Sequence, residues 1–81
     1  MEKGKVYRTS DVIFLSKNGR IFGDGIRFSN KYFATNNNWN VGNEEPYLAS
    51  PEEDIWLREC IKIGRYIKPD LLPQEPNYEI Y

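Results

Sequence analysis

The sequence predicts an α+β domain in which a small, curled antiparallel sheet of four or five strands carries one C-terminal helix packed on it. Short apolar or alternating runs, separated by turn-forming Asn and Gly, fill residues 6–48, as is typical of strands joined by hairpins. Residues 51–63 place apolar side chains at helical spacing between a start signal and a stop signal. With 81 residues the chain has room for one domain, which we assign to residues 1–68, followed by an extended, proline-rich tail over 69–81.

The individual strands follow from local patterns. Four consecutive apolar residues, 12–15, indicate a central strand covered on both faces. Asn18 and Gly19 after it predict a two-residue type I′ hairpin turn, because both tolerate the positive φ that this turn requires. Gly-Asp-Gly at residues 23–25 predicts a second turn or a bulge, and residues 30–31 (Asn-Lys) predict a third tight connection. The predicted strands are residues 6–9, 12–15, 20–22, 26–29, 32–35 and, as a last strand or an extended approach to the helix, 46–48.

The helix has the clearest signals in the chain. Ser50 is suited to the N-cap, Pro51 to the first helical position, and Glu53 completes a capping box with Ser50. Gly64 is a natural stop. Because a helix of about thirteen residues is marginal alone, we expect it to dock on the sheet. The apolar stripe predicted to face the sheet consists of Trp56, Leu57, Cys60, Ile61 and Ile63.

The formal net charge of −1 hides a difference between the two halves of the chain. Residues 1–40 carry seven basic and three acidic residues, whereas residues 41–81 carry four basic and nine acidic ones. Two interpretations stay open at this point. The halves attract each other, within the fold or between copies, or the basic half offers a face to an anion.

Residue composition argues against catalysis. The chain has no histidine and one cysteine, Cys60, which lies on the apolar face of the predicted helix without a base to activate it. No spacing of acidic residues points to a metal, and no cofactor motif is present, so we expect neither an enzyme nor a metal or cofactor site. The sequence has no apolar run long enough for a membrane span or a signal peptide, and we therefore expect a cytoplasmic protein without membrane contact.

Residues 36–43 form a polar, asparagine-rich segment, which we interpret as a loop. Trp39 lies within it, and a large aromatic face beside amide groups suits the stacking of a base or another planar ligand. The alternative is that Trp39 folds back as a core residue under a long loop. For a nucleotide-like ligand, Arg20 or Arg27 is expected to contact the phosphate. The candidate binding residues are Asn37, Asn38, Trp39, Asn40, Arg20, Arg27 and Tyr32.

The helical region also carries a family pattern. Ala-Ser-Pro-Glu-Glu at residues 49–53 is followed by Trp56-Leu57, by Cys60-Ile61 and by Gly-Arg-Tyr-Ile at residues 64–67. This pattern resembles the C-terminal module of short uncharacterised accessory proteins of tailed bacteriophages and prophages. In those proteins the segment reads Ala-Thr-Pro-Glu-Glu, a Leu, a Cys-Ile pair and Lys-Tyr-Val before a proline. The resemblance implies a phage or prophage origin and a setting in the bacterial cytoplasm, and it implies no activity.

The sequence therefore predicts a small accessory protein that works by binding. We expect it to block a host protein or to capture a nucleotide-like ligand, and antagonism of a host defence system is the expected role by analogy. The alternatives are a nucleic-acid-binding, barrel-like module that uses the basic half, and a structural phage component. We also expect a homo-oligomer, in which the tail contacts a sheet edge of another copy. The tail residues suited to this contact are Tyr78, Ile80 and Tyr81.

Overall fold

A computed structural model describes residues 1–69 and contains a five-stranded antiparallel sheet with one α-helix packed on it. The strand order is β4-β3-β2-β1-β5, so that β4 and β5 are the edges. The predicted α+β class is thereby confirmed, while the predicted tail from residue 70 onward lies outside the described residues. The elements are β1 (Val6–Arg8), β2 (Val12–Ser16), β3 (Phe22–Arg27), β4 (Tyr32–Asn38), β5 (Tyr47–Leu48) and α1 (Pro51–Ile63).

β3 is one continuous strand where the sequence predicts two short ones. The Gly-Asp-Gly segment, residues 23–25, lies inside β3, and the pairing register with β4 shifts there. Of the two predicted alternatives, turn or bulge, the bulge is therefore correct. Gly25 is required by the close approach of β2, because a Cβ at this position would lie 2.4 Å from the carbonyl oxygen of Ile13.

The connection between β2 and β3 is longer than the predicted two-residue turn. The Lys17 N–H donates to the carbonyl oxygen of Phe22 at 3.0 Å, which leaves four residues in the loop. The Asn18 side chain accepts a hydrogen bond from the Arg20 N–H at 3.0 Å, and Gly19 takes a φ of +80°. Asn18 thus shapes the turn through its side chain, which the type I′ prediction does not anticipate.

β4 extends through the first three residues of the predicted asparagine loop. Asn37 pairs with Gly23 in the sheet, and Asn36, with a φ of +49°, sits at the bulge. The Asn36 N–H donates to the Asp24 carboxylate at 2.9 Å. Asparagine tolerates positive φ better than most residues, so Asn36 fits the backbone conformation of the bulge and does not belong to a loop.

The face of the sheet that packs against α1 holds the larger apolar core. Trp56, Leu57 and Cys60 are the buried residues of the helix, as predicted, whereas Ile63 is 52% exposed, contrary to the prediction. Ile63 lies in the last turn, just before the C-cap Gly64. The buried residues of this core are Val6, Ile13, Ile26, Ala49, Trp56, Leu57, Cys60 and Ile67.

The capping prediction for the helix is confirmed. The Ser50 hydroxyl accepts from the Glu53 N–H at 3.2 Å, and the Glu53 carboxylate accepts from the Ser50 N–H at 2.9 Å. Gly64 closes the helix in the left-handed conformation. Within residues 1–69 no helix combines the length and the apolar character needed to cross a membrane.

The opposite face of the sheet is covered by the segment that connects its two edges. Residues 39–46 leave β4 at one edge and reach β5 at the other. Trp39 from this segment packs with Val12 and Phe14 in a second buried cluster. The short chain therefore covers both faces of its sheet, one with a helix and one with an irregular segment.

Candidate functional site

Trp39 is a core residue. Its side chain is 6% exposed, and its indole N–H donates to the carbonyl oxygen of Gly23 at 3.0 Å. The Tyr32 ring meets it edge-on, with 6.1 Å between ring centres. The Trp39 ring therefore has no exposed face on which a planar ligand could stack, and the alternative, a tryptophan that folds back as a core residue, is correct.

Arg27 and Asn40 do meet on the face that Trp39 covers. The Arg27 guanidinium donates to the Asn40 carbonyl oxygen at 2.8 Å and forms an ion pair with Asp11 at 3.1 Å. Hydrogen bonds from Arg27 and Ser29 outweigh the opposing effect of burial and hold the pKa of Asp11 below its usual value. Arg27 is thus already neutralised by a neighbouring carboxylate.

The other predicted binding residues are spread over the molecule. Arg20 lies in the β2–β3 loop, at the opposite end of β3 from Arg27. Asn37 and Asn38 belong to edge strand β4, where Asn37 is half-buried and Asn38 is exposed. The structure therefore brings together Arg27, Tyr32, Trp39 and Asn40, and leaves Arg20, Asn37 and Asn38 away from Arg27.

A polar pocket of about 440 Å³ lies beside Arg27, between the β1–β2 turn and residues 39–46, which we call the crossing segment. Glu44 from that segment accepts hydrogen bonds from the Ser10 N–H at 2.8 Å and from its hydroxyl at 2.6 Å. These bonds lower the pKa of Glu44. The two ionised carboxylates, Asp11 and Glu44, oppose a phosphate in this pocket. The hydrogen bonds between Glu44 and Ser10 fasten the crossing segment to the β1–β2 turn.

Reactive groups are few in the part of the chain that the structure describes. Cys60 is fully buried, and burial raises the pKa of its thiol, which keeps it protonated at neutral pH. Residues 1–69 contain no group of three or more acidic or cysteine side chains arranged to hold a metal ion.

A second depression lies between β5 and the first half of α1, and we call it the edge groove. It measures about 550 Å³ and exposes two large apolar side chains, Leu48 at 57% and Ile55 at 50%. Its rim carries Lys5, Asp54 and Arg58. The remaining lining residues are Gly4, Ala49 and Pro51.

The wall of the edge groove is held in place by Arg58. Its guanidinium pairs with Asp54 one helical turn away and donates to the Gly4 carbonyl oxygen at 3.0 Å. This bond ties the helix to the start of β1, so the groove is formed before any partner binds.

The backbone of β5 is open on its outer side. Ala49 donates its N–H to the Val6 carbonyl oxygen at 3.0 Å, and Leu48 lies opposite Tyr7. In an antiparallel ladder, paired and unpaired positions alternate, so the Leu48 N–H and C=O point away from β1. No strand within residues 1–69 lies on that side.

Sequence reasoning missed the edge groove. The sequence predicts an extended segment at residues 46–48 and a helix from residue 51, but the position of β5 at an edge depends on the strand order. The nearest local signal is Ile55, an apolar residue off the buried stripe of the helix.

No protein family model matches this chain, and neither a curated protein nor a solved structure shows significant similarity to it.

Proposed function

We propose that the protein acts by stoichiometric binding of a partner protein, which adds an extended strand to the open edge of β5. The observation that supports this proposal is the unpaired N–H and C=O of Leu48 beside the exposed side chains of Leu48 and Ile55. Main-chain hydrogen bonds then supply affinity, and the apolar groove selects the side chains of the added strand.

The chemistry of the partner follows from the groove. The strand needs apolar residues at every second position, because alternate side chains point to the same face. The rim has one more basic than acidic residue, and residues 1–69 as a whole carry a net charge of +2, so acidic residues between the apolar ones are favoured.

The biological setting is part of the same proposal. The resemblance of residues 49–69 to tailed-phage proteins favours a non-catalytic accessory protein in the cytoplasm of a bacterial host, where it blocks a defence protein by occupancy. The alternative of a nucleotide-like ligand or a nucleic acid is less favoured, because Asp11 already neutralises Arg27. Plating efficiency of a restricted phage on defence-carrying cells that express the protein tests this role.

The binding mode is tested by selecting random twelve-residue peptides on the full chain. We expect enriched peptides to alternate apolar with polar or acidic residues. Ile55→Gln should weaken their binding about tenfold, because an isoleucine contact of about 1.4 kcal/mol is lost. Ile63→Gln is the matched control, since Ile63 is equally exposed on the same helix but does not line the groove.

Melting temperatures of both variants should stay close to that of the wild type, because both isoleucines are half exposed. Peptides without an alternating pattern, or equal losses for the two variants, would contradict the proposal. In cells, Ile55→Gln should abolish protection of the phage while Ile63→Gln retains it.

A further inference from the structure

We infer that the edge groove binds residues 70–81 of a second copy of this chain. The inference rests on the proposed function, because it names a ligand for the same groove. The evidence comes from the chemistry of the groove, the sequence of the segment and the point at which the described chain leaves the sheet.

The sequence of the segment fits the groove. Tyr78 and Ile80 alternate with Glu79, which is the pattern of a strand with one apolar face. Residues 70–81 contain three acidic residues and no basic one, whereas residues 1–69 hold all eleven basic residues and nine acidic ones. The segment thus carries −3 and the rest of the chain +2, so that the two attract each other.

A second copy is favoured over the same molecule by geometry. The Tyr66 ring lies 6.0 Å from the Lys31 ammonium, and the Ile67 carbonyl oxygen accepts from the Trp56 indole, so the chain runs on the β3–β4 side of α1. The edge groove lies on the β5 side, four strand spacings or about 19 Å from β4. The helix, about 10 Å across, stands between the two sides.

A direct path within one molecule therefore crosses α1. Pro69 and Tyr78 are nine Cα–Cα steps apart and span at most about 30–32 Å, so the segment would have to be almost fully extended to cross a helix about 10 Å wide and reach β5. A segment from a second copy reaches the groove without crossing its own helix. Reciprocal exchange between two copies also fills both grooves, which closes the assembly as a symmetric dimer.

The inference is tested by the mass of the full chain in solution, measured by sedimentation at micromolar concentrations. We expect about 19 kDa, twice the 9.6 kDa of one chain. Ile55→Gln changes the groove, and Ile80→Gln changes the segment. Each should raise the dissociation constant of the dimer at least about tenfold, because each weakens both contacts. Ile63→Gln, the matched control, should leave the mass unchanged.

Mixing the two weakened variants is the decisive arm. Ile55→Gln retains an intact segment and Ile80→Gln an intact groove, so the mixed pair has one intact contact and one contact altered on both sides. The inference places Ile80 against Ile55, and the loss from altering both partners of one contact is smaller than the sum of the two single losses. The mixture should therefore associate more tightly than either variant alone. A single-chain mass for the wild type, no effect of either variant, or no gain on mixing would overturn the inference.

The outcome also separates this inference from the proposed function. If the wild type has the mass of one chain and still binds selected peptides through Ile55, the groove serves partner proteins and only the inference about residues 70–81 fails. If selected peptides ignore Ile55 as well, both fail.

Discussion

At the scale of single residues, the two tryptophans have the same structural role on opposite faces of the sheet. Both are buried, and both indole N–H groups donate to a backbone carbonyl oxygen: Trp39 to Gly23 and Trp56 to Ile67. An indole placed in this way contributes apolar contact and satisfies its own donor. Tryptophan content alone does not distinguish this role from ligand stacking.

Replacing either tryptophan by alanine should therefore unfold the protein or nearly so. Loss of a buried aromatic side chain costs about 3–5 kcal/mol, which is comparable to the whole stability of a domain of this size. Thermal unfolding followed by circular dichroism measures the effect. A Trp39→Ala protein that melts like the wild type would contradict the buried position of this residue.

The Glu44 carboxylate, which fastens the crossing segment, makes stability depend on pH. Hydrogen bonds from Ser10 lower the pKa of Glu44 in the folded chain, so the unfolded chain takes up a proton first as the pH falls. The stabilisation is present at neutral pH and is lost as the pH falls below about 4.5. The drop in melting temperature between pH 7 and pH 3 should be smaller in Glu44→Gln. Glu45→Gln, which removes a neighbouring charge outside these hydrogen bonds, is the control, and equal profiles for both variants would contradict the assignment.

At the scale of elements, the helix is the part that the sequence predicts best. Its start, its end and its buried residues Trp56, Leu57 and Cys60 follow from signals within fourteen residues of one another. The strands are predicted less well: two predicted strands form the single strand β3, and β4 runs to Asn38, three residues beyond its predicted end. The causes are the bulge between β3 and β4 and the turn that the Asn18 side chain shapes. A bulge depends on which residues lie opposite it in the neighbouring strand, and a local sequence pattern carries no information about that pairing.

The tightest constraint on the sheet is the contact of Gly25 with β2. A Cβ here would lie 2.4 Å from the Ile13 carbonyl oxygen, so Gly25→Ala should force β2 and β3 apart at a cost of about 3 kcal/mol. Gly42→Ala is the matched control: it meets no atom within 4 Å and carries only the strain of a φ of +65°, about 1 kcal/mol. Urea unfolding of both variants compares the two costs, and similar midpoints would show that β2 accommodates the methyl group.

At the scale of the whole molecule, ion pairs form mainly within each half of the chain. Of the six ion pairs among residues 1–69, the Arg8–Glu53 pair alone joins residues 1–40 to the later half. Attraction between the halves thus contributes little to the packing of residues 1–69. The candidate site could not be predicted for a related reason: the edge groove combines residues from β1, β5 and α1, and only the strand order makes them neighbours.

The crossing segment and the helix each carry one tryptophan, so the molecule has a separate fluorophore on each face of the sheet. Trp39 reports on the layer made by residues 39–46, and Trp56 reports on the layer made by the helix, with the sheet between them. A chain that keeps one indole, through Trp39→Phe or Trp56→Phe, emits from one side of the sheet alone. Stopped-flow refolding of the two chains then shows whether residues 39–46 or the helix packs on the sheet first, without any added label.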